Sequence, residues 1–451
     1  MSAGNRFASC AILAAFLVAP ISAHATELSS SQIREISEVA TAALNTNHLP
    51  GLSVAISKNG HIWSAGFGKA DLEQDVPVTA RSMFRTASVA KWFTAAAAMR
   101  LVEDGMLDLD APIQQYCAAF PVKQWPMTSR QLLTHMAGVR HNHGDNGEKH
   151  DTVAERQALE QLIQREKSGQ YVRYTDVIKP LDAFKDDPLI FRPGTRVQYS
   201  SPGYRLLGCV LEGAAKMPYR KLMRDLVFTP AGMKTTEDDA LALVPHRVAG
   251  YSKAPDDTFV RAAFRDVSEN LPAGGWLSTT EDLVRFAWAF QSGKLVKPAT
   301  RDQMLERPKL LDGTPAPNPF GSPNYYYGFG IMVGPVDGRL AWFHTGGQSG
   351  ASTLLYCFPD SKIAVALMTN RDGSAIREPL ARKLEEIAGR ESDPGAISPS
   401  QSSGLLPAGN DDGIVERSLI FVLVDRLHRP QFRQQVVDQQ TQTRPRRAVC
   451  K

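Results

Sequence analysis

Residues 52–67 have the sequence LSVAISKNGHIWSAGF, and this stretch decides the fold. Two apolar runs flank Asn59-Gly60, and an Asn-Gly pair between such runs is a strong signal for a β-hairpin. Close to the other end of the chain, three more stretches have the composition of strands: residues 341–344, 352–358 and 363–369. We therefore expect antiparallel strands from the two ends of the chain to form one sheet.

Apolar residues at helical spacing predict a helix beside each set of strands. The first helix covers residues 29–46, where Ser29 and Gln32 form a capping box at its start. The second covers residues 374–388 and follows the last strand. The predicted sheet therefore has helices to cover it at both ends of the chain.

The middle of the chain has a different pattern. Residues 88–104 predict a helix that ends at Gly105, and a capping box at Thr128 begins another that ends at Gly138. From there to about residue 330, strand-like patterns are sparse. The sequence therefore predicts an α+β fold: an antiparallel sheet built from N- and C-terminal strands, flanked by helices, with a mostly helical inserted lobe at about 105–330.

The N-terminus has the features of a secretory signal peptide. Arg6 precedes an apolar run over residues 7–21, and the small-x-small site Ala23-His24-Ala25 follows. The run is shorter than the roughly 20 residues that span a bilayer. We expect residues 1–25 to be removed, with an uncleaved anchor as the alternative. The mature protein is then predicted to be periplasmic or secreted, without a stable membrane span.

Composition and charge limit the rest of the chain. The 451 residues are 43% hydrophobic and 22% charged, with a formal net charge of +4 and no long run of Lys and Arg. These values indicate a folded domain that does not bind nucleic acid. We assign residues 27–391 to this domain. Residues 392–451, rich in Ser, Pro, Gly and Asn and then in Gln and Arg, are predicted to be a largely disordered tail.

Five cysteines are present, and Cys10 leaves with the predicted signal peptide. The remaining four are widely spaced: Cys117, Cys209, Cys357 and Cys450. This spacing is neither that of a dense disulfide scaffold nor that of a zinc site, and it leaves the pairing open.

The first motif that indicates chemistry is Ser88-Val89-Ala90-Lys91. Residues three apart share a helix face, so Lys91 should lie within reach of the Ser88 hydroxyl. A serine hydroxyl is a weak nucleophile until a base takes its proton. A lysine can be that base only where burial or nearby cations lower its pKa from about 10.4. On its own, the motif is equally typical of a helix start with a surface lysine.

Two further motifs contain groups that acyl transfer needs. Tyr199-Ser200-Ser201 follows a Pro-Gly turn, and a phenol beside a cationic lysine can pass a proton to a leaving group. A core tyrosine is the simpler interpretation of that motif. His344-Thr345-Gly346-Gly347 ends a predicted strand, where the N–H groups of Gly347 and Ser88 could hold an oxyanion. The alternative there is a histidine on a sheet edge before a turn.

Together, the motifs S-x-x-K, Y-x-S and H-T-G, in this order, resemble the serine beta-lactamase and penicillin-binding-protein superfamily. The resemblance covers about residues 30–390. The connecting stretches PGLSV, LDLD, LLTHMAG and GGWLST resemble its class C branch, which includes D-alanyl-D-alanine peptidases, D-aminopeptidases and esterases. Residues 184–191, FKDDPLIF, resemble the subgroup of the mitochondrial serine beta-lactamase-like protein and its bacterial relatives.

The resemblance implies a role for each motif residue. Ser88 would be the acylated nucleophile, Lys91 its base, and Tyr199 a partner in proton transfer. The N–H groups of Ser88 and Gly347 would form the oxyanion hole. The positions implied for substrate binding are Ser201, His344, Thr345 and Gly346. No metal and no cofactor are expected.

Two departures from the family pattern bear on the substrate. His344 stands where a lysine is usual, and a histidine is mostly neutral at pH 7. Ser201 stands where an asparagine is usual, and a hydroxyl replaces a carboxamide. Both changes weaken the case for efficient beta-lactam hydrolysis. We therefore predict a peptidase or esterase that acts on small peptides, amides or esters with D-amino acids, and on beta-lactams weakly or not at all.

Other readings of the chain remain open at this point. Ser349, in Gly347-Gln348-Ser349-Gly350-Ala351, is an alternative nucleophile, but Ala351 stands where a nucleophile elbow needs glycine. A metal site could be built from a histidine- and aspartate-bearing loop: His141, His143, Asp145, His150 and Asp151. His135 is predicted to be structural. The alternative function is that of a penicillin-binding sensor or a scaffold with little turnover. The resemblance to the mitochondrial subgroup also implies self-assembly as an expectation.

Overall fold

The computed structural model describes residues 27–142, 153, 156–157, 159–161, 163–164, 171–239, 242–374 and 378–391. These residues belong to one unit of the chain, Met1–Ile397, and the other unit, Ser398–Lys451, lies outside them. The predicted signal peptide over residues 1–25 and the predicted tail over 392–451 lie outside the described residues, so both stay predictions.

The hairpin that the sequence predicts is present. Strand β1 covers Gly51–Lys58 and strand β2 covers His61–Asp71, in antiparallel register. Asn59 and Gly60 have φ angles of 53° and 87°. A two-residue type I′ turn requires positive φ at both central positions, and these two residue types tolerate it best.

One antiparallel sheet contains eight strands in the order β3-β2-β1-β13-β12-β11-β10-β9. Besides β1 and β2, its strands are β3 Val76–Pro77, β9 Tyr326–Tyr327, β10 Met332–Val336, β11 Arg339–Gln348, β12 Ala351–Phe358 and β13 Ile363–Thr369. At its centre, β1 pairs with β13, and Val54 lies opposite Leu367. The two ends of the chain therefore meet in one sheet, which confirms the predicted fold class.

Helices cover both faces of this sheet. One face packs against α1, Ser30–Thr46, and α10, Glu378–Gly389. The predicted capping box at the start of α1 is present, with Ser29 as the N-cap. The other face packs against α8, Thr280–Gln291. Strands covered on both faces should be apolar throughout, and β12 and β13 are buried along their whole length.

Short helices and strands form the inserted lobe beside the sheet. Its helices, with those that flank it, are α2 Ala90–Glu103, α3 Ser129–Leu133, α4 Ser201–Ala215, α5 Tyr219–Met223, α6 Thr229–Ala231, α7 Leu271–Gly274 and α9 Pro298–Leu305. Its strands are β4 Phe84–Arg85, β5 Glu237–Asp238, β6 Tyr251–Lys253, β7 Phe259–Arg261 and β8 Trp276–Ser278. A disulfide joins Cys117 to Cys209 on α4, and Cys357 is a buried free thiol.

The predicted helix over residues 128–138 is shorter than expected. It begins at the predicted capping box but ends at Leu133, because His135 takes a left-handed φ of 59°. The carbonyl of His135 then accepts the N–H of Gln198, and the carbonyl of Met136 accepts that of Gly194. These long-range bonds turn the chain towards the segment before Tyr199, and no local pattern encodes them. No helix within the described ranges has both the length and the apolar character that crossing a bilayer needs.

Candidate active site

Ser88 lies in a short 3-10 turn, Ala87–Val89, immediately before α2. The sequence predicts Ser88 at the start of the α-helix itself, so the structure places it one short turn earlier. Ala87 has a φ of 44°, which is uncommon for a residue with a side chain. Such strain persists only where the surrounding structure fixes it. Ser88 is partly exposed between the buried Ala87 and Val89.

Lys91 is fully buried one turn further along the chain. Its Nζ lies 3.0 Å from Ser88 Oγ, 3.1 Å from Ser201 Oγ and 2.9 Å from the carbonyl oxygen of Ala273. All three of these oxygen atoms belong to uncharged groups. The amine is therefore held against the Ser88 hydroxyl without a carboxylate partner among these bonds.

This environment favours the neutral form of Lys91. Burial holds the pKa of its amine well below 10.5, and the positive charge of Arg205 lowers that pKa further. Arg205 lies on α4, where its guanidinium donates to Asn270 Oδ1 at 3.1 Å. An uncharged amine has a lone pair that can accept the hydroxyl proton of Ser88.

Tyr199 completes a group of polar side chains around Ser88. The centroid of its ring lies 4.9 Å from Lys91 Nζ. Burial raises the pKa of its phenol, and a hydrogen bond with Ser88 lowers that pKa by less, so the phenol stays protonated at neutral pH. The ring of Phe320, which is about half exposed, lies 4.9 Å from the Tyr199 ring.

Ser201 is held at the first residue of α4. Ser200 caps this helix by accepting the N–H of Gly203, and the Ser201 N–H donates to His141 Nδ1 at 3.3 Å. The backbone of Ser201 is thus fixed, which aims its hydroxyl at Lys91.

His344 is buried on β11 and both its ring nitrogens have partners. Nδ1 lies 2.6 Å from the carbonyl oxygen of Thr345, and Nε2 lies 2.9 Å from the hydroxyl of Tyr327. Because a carbonyl only accepts, Nδ1 carries the proton and Nε2 accepts from Tyr327. Burial is the main cause that lowers the pKa of His344, to about 3. The imidazole is therefore neutral at physiological pH.

Gly346 and Gly347 bring the end of β11 against the Ser88 turn. A Cβ on Gly346 would lie 2.7 Å from the Ser88 nitrogen, whereas a Cβ on Gly347 would meet nothing within 4 Å. A two-residue turn closes the β11–β12 hairpin, so Gly347 and Ser352 form a non-hydrogen-bonded pair. The N–H of Gly347 therefore points away from β12.

A cleft of about 420 Å³ opens beside this strand end. Thr345, Gly346 and Gly347 form part of its wall, and the rest comes from Phe320, Tyr325, Met332, Phe343, Ser352, Thr353, Leu354, Gly373 and Ser374. None of these described lining residues is charged. The cleft adjoins the site at the end of β11, and Ser88, Lys91 and Tyr199 are not among its lining residues.

The structure therefore brings the eight motif residues together and adds three groups that the motifs do not contain. Ala273 contributes only a backbone carbonyl, Arg205 acts through its charge, and Tyr327 fixes the tautomer of His344. No local sequence signal could have identified them, because each is far from its partner in the chain.

The structure tests two alternative predictions: Ser349 as the nucleophile, and a metal site on a histidine- and aspartate-bearing loop. Ser349 lies at the β11–β12 turn, its hydroxyl donates to the carbonyl of Ala263 at 2.5 Å, and a strand rather than a helix follows. It is therefore not a nucleophile elbow. The metal-site candidates His143, Asp145, His150 and Asp151 lie outside the described residues. Within the described part of the chain, no group of three potential ligands could hold a metal ion.

The family that this chain matches is the one that its motifs resemble. Residues 36–389 match the Beta-lactamase family. The human mitochondrial serine beta-lactamase-like protein LACTB is 28% identical, in a match that covers 69% of this chain and 69% of that protein.

Two solved structures share the fold. A D-stereospecific amidohydrolase from a Streptomyces species superposes with a TM-score of 0.63 at 21% identity, over 78% of this chain and 98% of that one. An octameric penicillin-binding protein homologue from Pyrococcus abyssi gives 0.61 at 22% identity, over 79% and 76%. The family match spans most of the chain, so this protein belongs to the Beta-lactamase family and is a serine hydrolase of the beta-lactamase and penicillin-binding-protein superfamily.

Proposed function

We propose that this chain hydrolyses esters or amides through an acyl-enzyme formed on Ser88, with Lys91 as the base. One observation carries the proposal: a fully buried amine, whose pKa burial lowers, lies 3.0 Å from the Ser88 hydroxyl. A protonated lysine could not take the serine proton, whereas a neutral one can.

The first step forms the acyl-enzyme. Ser88 Oγ attacks the substrate carbonyl carbon while its proton passes to Lys91 Nζ. The carbonyl oxygen becomes an oxyanion, and we propose the N–H groups of Ser88 and Gly347, at the open edge of β11, as the donors that stabilise it. Collapse of the tetrahedral intermediate breaks the bond to the leaving group, which takes a proton through Tyr199. Tyr199 regains that proton from Lys91.

The second step releases the product. Water attacks the acyl carbon, its proton passes to the Lys91 and Tyr199 pair, and Ser88 Oγ leaves as the hydroxyl. Because the same groups act as base and then as acid, no further catalytic residue is needed. A protein that forms the acyl-enzyme but does not hydrolyse it would instead be a sensor, which is the alternative function.

The substrate proposal follows from charge. His344 is neutral and engaged with Tyr327, so we propose that it positions β11 and offers no cation to a substrate carboxylate. The described wall of the cleft is also uncharged. Esters and amides, including those of D-amino acids, need no such cation. The solved Streptomyces amidohydrolase is D-stereospecific, which supports this choice.

We also propose that the mature chain works in the periplasm or outside the cell. The signal-like N-terminus motivates this proposal, and the disulfide between Cys117 and Cys209 supports it, because such bonds persist in oxidising compartments. Expression with the native N-terminus, followed by cell fractionation and N-terminal sequencing, tests it. Cytoplasmic protein that begins at Met1 would contradict it.

Self-assembly is a further proposal. The resemblance to the mitochondrial subgroup motivates it, and the octameric penicillin-binding protein homologue from Pyrococcus abyssi supports it. Light scattering of the purified chain across a concentration series tests it, and a mass equal to one chain at every concentration would contradict it.

The central experiment uses a fluorophosphonate probe and mass spectrometry on the wild type and on Ser88→Ala. We expect one adduct on the Ser88 peptide and none in the variant; an adduct elsewhere would contradict the assignment of Ser88 as the nucleophile.

A second experiment measures turnover of a panel of substrates: nitrocefin, simple esters and D-amino-acid amides. Nitrocefin as the best substrate by a wide margin would contradict the substrate proposal. A lasting acyl adduct would indicate a sensor.

A further inference from the structure

We propose that His135 is a positioning residue, which holds the Tyr199 phenol where it can pass a proton to the leaving group. Tyr199 lies within residues 196–200, which belong to no helix or strand. A regular hydrogen-bond ladder therefore does not fix this segment, and other contacts must do so. Because proton transfer through Tyr199 is part of the proposed function, the inference rests on that proposal.

Two hydrogen bonds join His135 to the residues on either side of Tyr199. The carbonyl oxygen of His135 accepts the N–H of Gln198 at 2.9 Å, and its side-chain Nδ1 accepts the N–H of Ser200 at 3.1 Å. One residue thus fixes the backbone both before and after Tyr199. The φ of 59° at His135 is left-handed, a conformation that histidine adopts more readily than most residue types.

The imidazole ring also packs directly on the phenol. The centroids of the His135 and Tyr199 rings lie 4.4 Å apart, with the rings tilted by 46°. His135 is almost fully buried, so its ring cannot move aside easily. The imidazole also lies 4.7 Å from the ring of Tyr327, whose hydroxyl donates to His344 Nε2. Ring contacts through His135 therefore connect Tyr199 with the residue that fixes the tautomer of His344.

The hydrogen bond with Ser200 determines which nitrogen of His135 carries the proton. Because a backbone N–H only donates, Nδ1 is the acceptor, and the proton of the neutral ring is on Nε2. Within the described part of the chain, Nε2 is buried without a hydrogen-bond partner. Burial is the main cause that holds the pKa of His135 well below 6.5. The side chain therefore acts on the Tyr199 segment as a neutral acceptor and as a ring.

The reaction depends on where the phenol lies. The Tyr199 hydroxyl shares a hydrogen bond with Ser88, and the ring centroid lies 4.9 Å from Lys91 Nζ. Proton transfer needs hydrogen-bond distance, and a displacement of about 1 Å can slow a reaction by about a hundredfold. Loss of the His135 contacts should therefore slow proton transfer to the leaving group, while Ser88 and Lys91 remain paired.

Two substitutions separate the two contacts. His135→Asn keeps an oxygen that can accept the Ser200 N–H and tolerates a left-handed φ, but it removes the ring. His135→Phe keeps a ring but removes the acceptor. Tyr199→Phe, which removes the hydroxyl, shows the effect of losing the proton transfer itself. Leu133→Ala is the matched control, because it opens a cavity two residues before His135 without removing a contact between His135 and Tyr199.

The first experiment varies the leaving group. Each protein is given the p-nitrophenyl, phenyl and methyl esters of one acid, and kcat/KM is measured. p-Nitrophenolate leaves without a proton, whereas methoxide needs one. For Tyr199→Phe and both His135 variants, we expect a fall of less than about threefold with the p-nitrophenyl ester and of at least about thirtyfold with the methyl ester. Leu133→Ala should affect all three esters equally.

A selective fall in either His135 variant supports the inference and shows which contact matters. An equal fall for all three esters, or no fall, in both His135 variants would overturn it. Fluorophosphonate labelling of Ser88 distinguishes the two possible failures. If His135→Asn and His135→Phe are labelled but show no selectivity while Tyr199→Phe does, only the inference fails. If the wild type is not labelled, the proposed function fails and the inference fails with it.

The second experiment tests whether His135 acts through Tyr199. His135→Asn is combined with Tyr199→Phe, and hydrolysis of the methyl ester is compared among the wild type, the two single variants and the double variant. A residue that acts only through the phenol hydroxyl has no further effect once that hydroxyl is absent. We therefore expect the double variant to match Tyr199→Phe within about twofold. A double variant in which the two single effects multiply would overturn the positioning role.

Discussion

Lys91 Nζ lies 3.0 Å from Ser88 Oγ, and the two other oxygens within hydrogen-bond distance of it, Ser201 Oγ and the Ala273 carbonyl oxygen, also belong to uncharged groups. Arg205, whose charge has the same sign as that of a protonated lysine, lowers the pKa of the amine further. Both burial and this charge favour the neutral amine. The fold thus holds the Lys91 amine where its charged form is disfavoured, and an uncharged amine can act as a base.

Lys91→Met should abolish the Ser88 adduct about as completely as Ser88→Ala, because nucleophile and base act as a unit. It should also change how stability depends on pH. In the wild type the unfolded chain binds one more proton than the folded chain, from the lowered pKa of Lys91 up to about 10.4. Across that window, the free energy of unfolding of the wild type should rise, relative to Lys91→Met, by about 1.4 kcal/mol per pH unit.

Denaturant unfolding of both proteins across a pH series measures this difference. Ser88→Ala is the control, because it loses the adduct but keeps the buried amine, so its stability should follow the wild type. Parallel curves for the wild type and Lys91→Met would show that Lys91 is protonated in the folded protein.

His344→Gln tests the neutral histidine on β11. The pKa of His344 is about 3 in the folded protein and near 6.5 when unfolded, so the unfolded chain binds the extra proton between these values. The contribution of His344 to stability is complete above pH 6.5 and declines as the pH falls to about 3. The wild type should therefore lose more stability than His344→Gln over that range, and the two should show no such difference in slope above pH 7.

Thermal unfolding at several pH values measures this effect, and subtracting the two curves removes the titration of the carboxylates. Tyr327→Phe supplies a second variant, since it removes the hydroxyl that donates to His344 Nε2. It should keep the low-pH slope of the wild type at reduced overall stability. A stability difference between wild type and His344→Gln that does not vary with pH would mean that folding leaves the pKa of His344 unchanged.

Gly346→Ala should block acylation. The added Cβ would lie 2.7 Å from the Ser88 nitrogen and 2.8 Å from the Thr86 carbonyl oxygen, and neither backbone atom can move without displacing the Ser88 turn. We expect the rate of fluorophosphonate labelling to fall by at least about a hundredfold, as for loss of an oxyanion-hole donor. Gly347→Ala is the matched control, because its Cβ would meet nothing within 4 Å. Equal labelling of the two variants would contradict the close contact.

The sheet was predictable because its signals are local. Asn59-Gly60 requires a turn that few residues accept, and the buried strands β12 and β13 are short apolar runs with a turn between them. Strand β10 was not predicted: it contains Gly334 and Pro335 and lacks a long apolar run. Its place beside β11 depends on pairing across the sheet rather than on its own composition.

The active site likewise contains some residues that a local sequence signal predicts and others that only long-range packing brings together. Ser88 and Lys91 are three residues apart, so helical geometry alone brings them together. The Ala273 carbonyl is 182 residues from Lys91, and a backbone atom has no sequence signature. The hydrogen bond that fixes the tautomer of His344 likewise comes from Tyr327, which only the assembled sheet brings within 2.9 Å. The sequence thus predicts which side chains react, and tertiary packing determines their protonation.

The disulfide between Cys117 and Cys209 should contribute mainly through the unfolded chain. It closes a loop with a sequence separation of 92, and the chain-entropy estimate for such a loop is about 4–5 kcal/mol at 25 °C. Because α4, which carries Cys209, begins at Ser201, the folded active site should keep its geometry without the bond. The double variant Cys117→Ala, Cys209→Ala should therefore unfold at a lower denaturant concentration but retain the labelling rate of Ser88.

Adding a reductant should destabilise the wild type and leave the stability of the double variant unchanged. Burial raises the pKa of the remaining described thiol, Cys357, to about 12 and keeps it unreactive. Equal denaturation midpoints for the oxidised wild type and the double variant would contradict the bond. If the double variant folds fully but its Ser88 is labelled much more slowly, the bond is needed to hold α4 in the position that the reaction requires.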